Sequence, residues 1–137
     1  MSAVASAEAN REVVQAIYDA AATGDFACVQ SLLADDIVLL ESDSHPTPGR
    51  SEGKPAVLAA MGRLVEVLRT TEVRVHEILA DGPERVAALI DAIGTDSTGQ
   101  PYSMPVVELF LVRDGQVVEI RPFYYDTVRL RALVGVV

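Results

Sequence analysis

The stretch from Met104 to Asp126 reads MPVVELFLV, RDG and QVVEIRPFYYD. Two runs rich in β-branched and aromatic residues flank Asp114-Gly115, a dipeptide typical of a tight hairpin turn, because glycine accepts the positive φ that such turns require. Glu108 stands inside the first run, which is otherwise apolar. Burying an unpaired carboxylate is costly and raises its pKa. The stretch therefore predicts an antiparallel hairpin in which Glu108 is either functional or turned towards water.

The rest of the chain predicts helices first and strands afterwards, which is typical of an α+β domain. Apolar residues recur at helical spacing in three segments, and Pro- and Gly-containing turns separate the later β-rich runs. We expect three N-terminal helices packed on a mostly antiparallel sheet, in a single domain spanning 1–137. The predicted elements are helices at 8–23, 25–33 and 55–68, strands at 37–40, 72–80, 85–94, 102–113 and 116–125, and a final helical turn at 126–133.

Composition narrows the class of partner. Half of the 137 residues are hydrophobic, no apolar run approaches the ~20 residues that span a bilayer, and the net charge is −9. This charge argues against nucleic acid and anionic membranes as partners and favours hydrophobic small molecules. Cys28 is the only cysteine, so no intrachain disulfide can form, which fits a reducing cytoplasm.

Both faces of the strand predicted at 102–113 are apolar. Helices of the same chain can cover only one of them, so the second predicts a homodimer. The two alternating sets are Val106, Phe110 and Val112 on one face, and Val107, Leu109 and Leu111 on the other.

The segment from Leu33 to Glu41, LADDIVLLE, is followed by a loop and by GKPAV at 53–57. This order is similar to the opening of SnoaL-like and ketosteroid-isomerase-like domains, and the ending EIRPFYYD at 119–126 resembles the close of the same family. The resemblance covers residues 8–126. It implies the cone-shaped α+β fold of nuclear-transport-factor-like proteins, with a strongly curved sheet around an internal pocket. The family includes isomerases, cyclases, epoxide hydrolases, dehydratases and non-catalytic binding proteins.

Glu41 is the first candidate catalytic residue. In the resembling steroid isomerases, the acidic residue that ends the short strand is the general base, and an ungapped count places it on Glu41. A carboxylate that follows four apolar residues at a cavity mouth is partly desolvated, so its pKa should rise towards the working pH. The alternative is a solvated residue at the end of the strand, beside Ser42 and Asp43.

Glu108 is the second candidate. In the resembling family, an acidic residue near this place lines the cavity and acts as a protonated hydrogen-bond donor or as a base. Phe110 shares the face of Glu108, and aromatic or aliphatic walls around one carboxyl group are typical of a small-molecule pocket. The alternative is a structural ion pair between Glu108 and Arg121 across the sheet.

The remaining candidates would bind substrate. Tyr18 lies one residue after Ile17, the position that aligns with the oxyanion tyrosine of the isomerases, so it either lines the cavity or packs in the core. His45, in the Ser-, Pro- and Gly-rich loop at 42–53, is either a lid or substrate contact or an exposed loop residue. The other predicted substrate-binding residues are Met61, Phe110, Arg121 and Tyr124.

These residues predict acid/base proton transfer on a hydrophobic substrate, either isomerisation or aldol-type cyclisation. Glu41 or Glu108 would be the base, and Tyr18 or His45 would stabilise the developing oxyanion. A non-catalytic ligand-binding or dimerisation module with the same cavity is the alternative from another class.

A second enzyme class remains open. The resembling epoxide hydrolases use an Asp-Arg-Asp arrangement, which here would require Arg121, Glu108 and one more carboxylate. No cofactor is predicted, because phosphate-binding glycine loops are absent. His45 and His76, the only histidines, lack the spacing of metal ligands.

Overall fold

The structure is a computed structural model and describes residues 3–136. Within this range, no helix is both long and apolar enough to cross a membrane. The elements in chain order are α1 (Ala3–Thr23), α2 (Phe26–Ser31), β1 (Leu33–Glu41), β2 (Gly49–Glu52), α3 (Lys54–Leu68), β3 (Thr70–Ala80), β4 (Arg85–Thr95), β5 (Pro101–Arg113), β6 (Gln116–Tyr124) and α4 (Thr127–Leu133).

The first two helices form near their predicted positions, although α1 begins at Ala3 rather than at residue 8. Val14, Ile17 and Ala20 recur every three residues along α1 and are buried against the sheet. Asp25 caps α2, since its side chain accepts a hydrogen bond from the backbone N–H of Cys28 at 3.2 Å. α2 ends before the predicted boundary at residue 33, because Leu33 already belongs to β1.

The third helix is anchored to the sheet at its C-terminal end. Pro55 lies in its first turn, where a missing N–H costs nothing. The hydroxyl of Tyr102 donates to the carbonyl oxygen of Leu68 at 2.5 Å. Gly94 passes so close that a β-carbon there would lie 2.5 Å from the carbonyl oxygen of Arg69. α3 is therefore held at a fixed distance from β4 and β5.

Six strands form one sheet in the order β2-β1-β6-β5-β4-β3. The segment from β3 to β6 is an antiparallel meander, whereas β1 pairs with β6 in parallel. The sheet curves around the helices without closing, which confirms the predicted cone-shaped α+β fold. The prediction of a continuous loop at 42–53 is wrong in part, since Gly49–Glu52 forms β2 and pairs with the end of β1.

The β5–β6 hairpin turns at Asp114-Gly115, as predicted, with φ values of 51° and 75°. A bulge between Leu111 and Val112 then shifts the register by one residue. Arg121 consequently pairs with Leu109, and Glu108 pairs with Pro122.

The two faces of β5 have different surroundings. Its buried residues lie on the inner face of the sheet, and on this face Glu108 and Phe110 contact Tyr18 of α1. The outer-face residues alternate with them and are exposed or half-buried. The buried inner residues are Tyr102, Met104, Val106, Phe110 and Val112.

Candidate functional site

Five ionisable side chains from separate parts of the chain come together on the inner side of the sheet. We call this group the interior acid cluster; its members are Tyr18 from α1, Glu41 from the end of β1, His45 from the loop after β1, Glu108 from β5 and Tyr124 from the end of β6. They are linked by a hydrogen bond, a ring contact and mutual electrostatic effects.

Glu41 is the last residue of β1, and its strand position turns the side chain inward. The residue is only 9% exposed, and neither carboxyl oxygen has a hydrogen-bond partner among the described residues. Burial, followed by the nearby charge of Glu108, raises the pKa of Glu41 from 4.5 to about 8. Glu41 is therefore mostly protonated at neutral pH, and the carboxylate that forms at higher pH is a stronger base than an exposed one.

Glu108 is hydrogen-bonded to Tyr18. The hydroxyl of Tyr18 donates to Oε1 at 2.5 Å, and its ring meets Phe110 edge to face, with 6.1 Å between the ring centroids. Burial raises the pKa of Glu108, although the hydrogen bond from Tyr18 opposes this rise. Burial and the neighbouring Glu108 also raise the pKa of Tyr18. Burial therefore shifts both groups towards their neutral forms.

His45 is fully buried, although it lies in a loop. Its Nδ1 accepts a hydrogen bond from the backbone N–H of Thr47 at 2.9 Å, and its ring packs on Tyr124 with 4.5 Å between centroids. Its Nε2 lies 3.7 Å from Oε2 of Glu41. Burial lowers the pKa of His45 to about 4, so the imidazole is neutral at physiological pH. The structure thus contradicts the alternative of an exposed loop histidine.

Two of the predicted substrate-binding residues, Met61 and Arg121, lie outside the interior acid cluster. Met61 is half-buried on α3 and packs against the core. Arg121 is exposed on the outer face, where its guanidinium lies 3.8 Å from the carboxylate of Glu119. The predicted alternative of an ion pair between Arg121 and Glu108 is therefore wrong, because the hairpin bulge moves Arg121 to the other side of the sheet.

Two surface depressions lie near the ends of the sheet. One of about 390 Å³ is lined by Arg121, Phe123 and Thr127 and reaches Glu41 and Tyr124 from outside. The other, of about 450 Å³, lies beside the hairpin turns and the first half of α1, away from the interior acid cluster.

Two further observations complete the site. Thr47 could not be singled out from the sequence, because its shortest contact with His45 is a backbone hydrogen bond, which has no residue-type signature. Within residues 3–136, no three His, Cys, Asp or Glu side chains are grouped so that they could hold a metal ion.

Comparison with known proteins identifies the family. A family model described as a SnoaL-like domain matches residues 14–120. No protein of curated function gives a significant match.

Solved structures share the fold over nearly the whole chain. An NTF2-like protein from Burkholderia xenovorans LB400 is 27% identical, with 97% of this chain and 98% of that chain covered and a TM-score of 0.75. A putative SnoaL-like polyketide cyclase from Jannaschia sp. CCS1 is 23% identical (93% and 92% covered, TM-score 0.76). TerC, co-crystallized with polyporic acid, is 19% identical (93% and 98% covered, TM-score 0.78). Because the family model spans most of the chain, the protein belongs to the SnoaL-like family, as its sequence resemblance predicted.

Proposed function

We propose that this protein is a cofactor-independent acid/base enzyme that moves a proton next to a carbonyl group of a hydrophobic small molecule. The single observation that carries the proposal is the carboxyl group of Glu41, which is buried without a hydrogen-bond partner and has a pKa of about 8. A general base is most effective when its pKa lies near the working pH. Purely structural buried carboxyl groups normally have hydrogen-bond partners.

The chemistry follows from the neutral state of the surrounding groups. The carboxylate of Glu41 removes a hydrogen α to the carbonyl as a proton, and the electron pair of the broken C–H bond forms a C=C bond while the carbonyl π pair moves to oxygen. Neutral Glu108, held by Tyr18 at Oε1, donates a hydrogen bond to the resulting enolate. Where a β,γ C=C bond of the substrate is conjugated with the enolate, Glu41 returns the proton to the γ carbon, the C=C bond moves to the α,β position and the carbonyl re-forms, which completes an isomerisation. In an aldol-type cyclisation, the enolate carbon attacks a second carbonyl and Glu41 protonates the new alkoxide.

The two alternatives receive less support. An epoxide hydrolase would need an arginine between two acids, but Arg121 lies on the outer face. A non-catalytic ligand-binding module is favoured by one feature, the complete burial of His45, which covers the cluster on one side. Such a module has no need of a base with a pKa near neutrality.

The outer face of the sheet supports a homodimer as the working form. We call its hydrophobic side chains the outer apolar patch: Leu79, Leu89, Val107, Leu109 and Phe123. Leu89, Val107 and Phe123 lie side by side across three strands, and Phe123 is 53% exposed. A second copy of the chain would remove this patch from water. Sedimentation at micromolar concentration should show a dimer, and a monomer at every concentration would refute this part of the proposal.

Exchange of α-hydrogens tests the reaction without knowledge of the natural substrate. In D2O, the protein should accelerate exchange in β-tetralone, an apolar ketone, and the rate should rise with pH through about 8 as Glu41 ionises. Glu41→Gln should exchange at least about 100-fold more slowly, the lower end of the usual contribution of a general base. Glu66→Gln, an exposed change on α3, is the matched control.

Other outcomes of the exchange experiment would assign the base to another residue or favour the ligand-binding module. Loss of exchange in Glu108→Gln but not in Glu41→Gln would transfer the base to Glu108. If neither variant differs from the wild type, or if the wild type gives no exchange with β-tetralone or with acyclic 1,3-diketones, the ligand-binding module becomes the better description.

A further inference from the structure

The role of His45 inferred below rests on the proposed function. We infer that His45 is a neutral hydrogen-bond donor to the carbonyl oxygen of an uncharged substrate, and that Thr47 is the positioning residue that fixes the proton of its imidazole on Nε2. His45 would then be a second electrophile beside Glu108, and the two would donate to one developing oxyanion.

The position of the proton follows from the partner of the other ring nitrogen. A backbone N–H carries a hydrogen and cannot accept one, so Nδ1 of His45 must be the acceptor in its 2.9 Å contact with Thr47. The hydroxyl of Thr47 also lies 3.1 Å from Nδ1 and can donate to the same nitrogen. A neutral imidazole whose Nδ1 accepts must carry its hydrogen on Nε2. His45 is therefore a donor on the side that faces Glu41, and it cannot act as a base there.

That donor has no partner among the described residues. Nε2 of His45 is buried, and the 3.7 Å to Oε2 of Glu41 exceeds the 2.7–3.2 Å of an N–H···O hydrogen bond. A buried donor without a partner is unfavourable, and so is a buried acceptor without one, such as the carboxyl group of Glu41. A carbonyl oxygen of a substrate can accept from this Nε2 donor while a neighbouring C–H bond faces Glu41.

The loop holds the imidazole firmly in this orientation. Pro46 and Pro48 flank Thr47 and restrict its backbone, since proline fixes φ. The hydroxyl of Ser44 donates to the hydroxyl oxygen of Thr127 at 2.9 Å, which ties the loop to the start of α4. An electrophile that is pre-organised in this way needs no rearrangement when charge develops on the substrate.

The charge of the cluster restricts the class of substrate. At neutral pH its histidine is uncharged, and its two carboxyl groups can only add negative charge when they ionise. A ligand that carries a carboxylate or phosphate would be repelled by any ionised acid and would meet no cation in the cluster. The substrate oxygen that His45 contacts therefore belongs to an uncharged ketone, aldehyde or enol.

Nitrogen NMR tests the tautomer directly and needs no substrate. At pH 7, the imidazole ¹⁵N spectrum of the free protein should show an unprotonated Nδ1 and a protonated Nε2 for His45, with the exposed His76 as the internal comparison. Thr47→Val keeps the backbone N–H and should preserve this tautomer. Thr47→Pro removes the N–H and should increase the fraction protonated on Nδ1. An Nδ1-protonated or doubly protonated His45 in the wild type would overturn the inference.

Variants of His45 test its role towards a ligand. β-Naphthol, a neutral enol, is the probe, and its binding is followed by its fluorescence. His45→Leu removes the donor and should weaken binding about tenfold, which corresponds to about 1.4 kcal/mol. His45→Gln keeps an N–H near the position of Nε2 and should restore binding to within about threefold of the wild type. If both variants bind β-naphthol as the wild type does, His45 makes no contact with a substrate oxygen.

The same measurements separate this inference from the proposed function. In β-tetralone exchange, His45→Leu should be about 10²-fold slower, as is usual for a lost oxyanion donor, and His45→Gln should recover most of the rate. Exchange that depends on Glu41 but not on His45 would defeat the inference alone. Expected tautomer and β-naphthol results without any exchange would defeat the proposed function and leave His45 as a ligand-binding donor.

Discussion

The two faces of β5 show opposite departures from the usual distribution of side chains. The inner face carries Glu108 among buried apolar residues, and this carboxyl group meets Tyr18 and influences Glu41. The outer face, one residue out of phase, carries Val107 and its neighbours in the outer apolar patch, in contact with solvent. Buried acids and exposed hydrophobic clusters are both costly to an isolated chain. The difference agrees with the proposed function, which places a ligand on the inner face and a second copy of the chain on the outer face.

The largest effect on the free energy of unfolding is expected from a change at Glu41, on the inner side of the sheet. Because burial raises its pKa from 4.5 to about 8, the folded state binds more protons than the unfolded state within this range, so stability is lost as pH rises through it. At about 1.4 kcal/mol per pKa unit, the loss is on the order of 4 to 5 kcal/mol. Glu41→Gln should therefore gain this much relative to the wild type between pH 4 and pH 9, as measured by urea unfolding.

Each sample at a given pH is compared with the wild type at that pH, which cancels the opposite contribution of His45 between about 6.5 and 4. Glu66→Gln should track the wild type at every pH. Parallel stability curves for Glu41→Gln and the wild type would show that Glu41 is not desolvated.

The second-largest effect is expected at the hydrogen bond between Tyr18 and Glu108 on the inner face. Tyr18→Phe leaves an unpaired carboxyl oxygen on Glu108 and should cost about 1–3 kcal/mol of unfolding free energy. Adding Glu108→Leu removes the unpaired acceptor, so the two changes together should cost less than their sum. A double-mutant cycle from chemical denaturation should give a coupling of at least about 1 kcal/mol.

Tyr102→Phe provides the control for that cycle, since its hydroxyl donates to Leu68 rather than to Glu108. Tyr102→Phe and Glu108→Leu should be additive within about 0.5 kcal/mol. Additivity in the Tyr18 cycle as well would mean that the contact between Tyr18 and Glu108 contributes nothing specific.

The smallest effect on folding is expected on the outer face. Val107→Lys exposes no core and should change the unfolding free energy of the monomer by no more than about 0.5 kcal/mol. In a dimer formed through the outer apolar patch, the same change should raise the dissociation constant at least about tenfold, measured by sedimentation equilibrium. Ser103→Lys, on the same strand and face but outside the patch, should leave dissociation unchanged. Equal effects of the two variants would remove the outer apolar patch as the interface.

Local sequence signals predicted much of the difference between the two faces of β5. Asp114-Gly115 fixes the turn by its positive φ values, and alternation along 102–113 assigns Glu108 and Phe110 to one face and Val107 to the other. These features depend on neighbouring residues only, which is why the pattern is sufficient. The rise in the pKa of Glu41 was likewise predicted from the apolar run before it, and the structure agrees.

The position of Arg121 was not predictable in the same way. An ungapped count from the turn pairs residue 121 with Glu108, which would place both side chains on one face. The bulge between Leu111 and Val112 inserts one residue and pairs Arg121 with Leu109 instead. Since side chains alternate with a period of two, a shift of one residue exchanges the faces.

Tyr18 and His45 were candidate substrate contacts, but their surroundings could not be predicted, for other reasons. The burial of His45 depends on Tyr124 and on a loop tied to Thr127, and these contacts bring together residues about 80 positions apart. The direction of Tyr18 depends on how α1 is rotated on the sheet, and helical periodicity alone does not determine this rotation to within one residue.

The parallel pairing of β1 with β6 has a consequence for the order of folding. The meander from β3 to β6 joins neighbours along the chain, whereas β1 must find β6 across most of the sequence, with Leu33 beside Val117. Closing so long a loop is entropically slow, so we expect the meander to form before β1 docks. Glu41 and His45 arrive with β1, whereas Glu108 and Tyr124 belong to the meander. In a partly folded chain, Glu41 and His45 would therefore still be separated from Glu108 and Tyr124. The interior acid cluster would exist only in molecules that have completed folding.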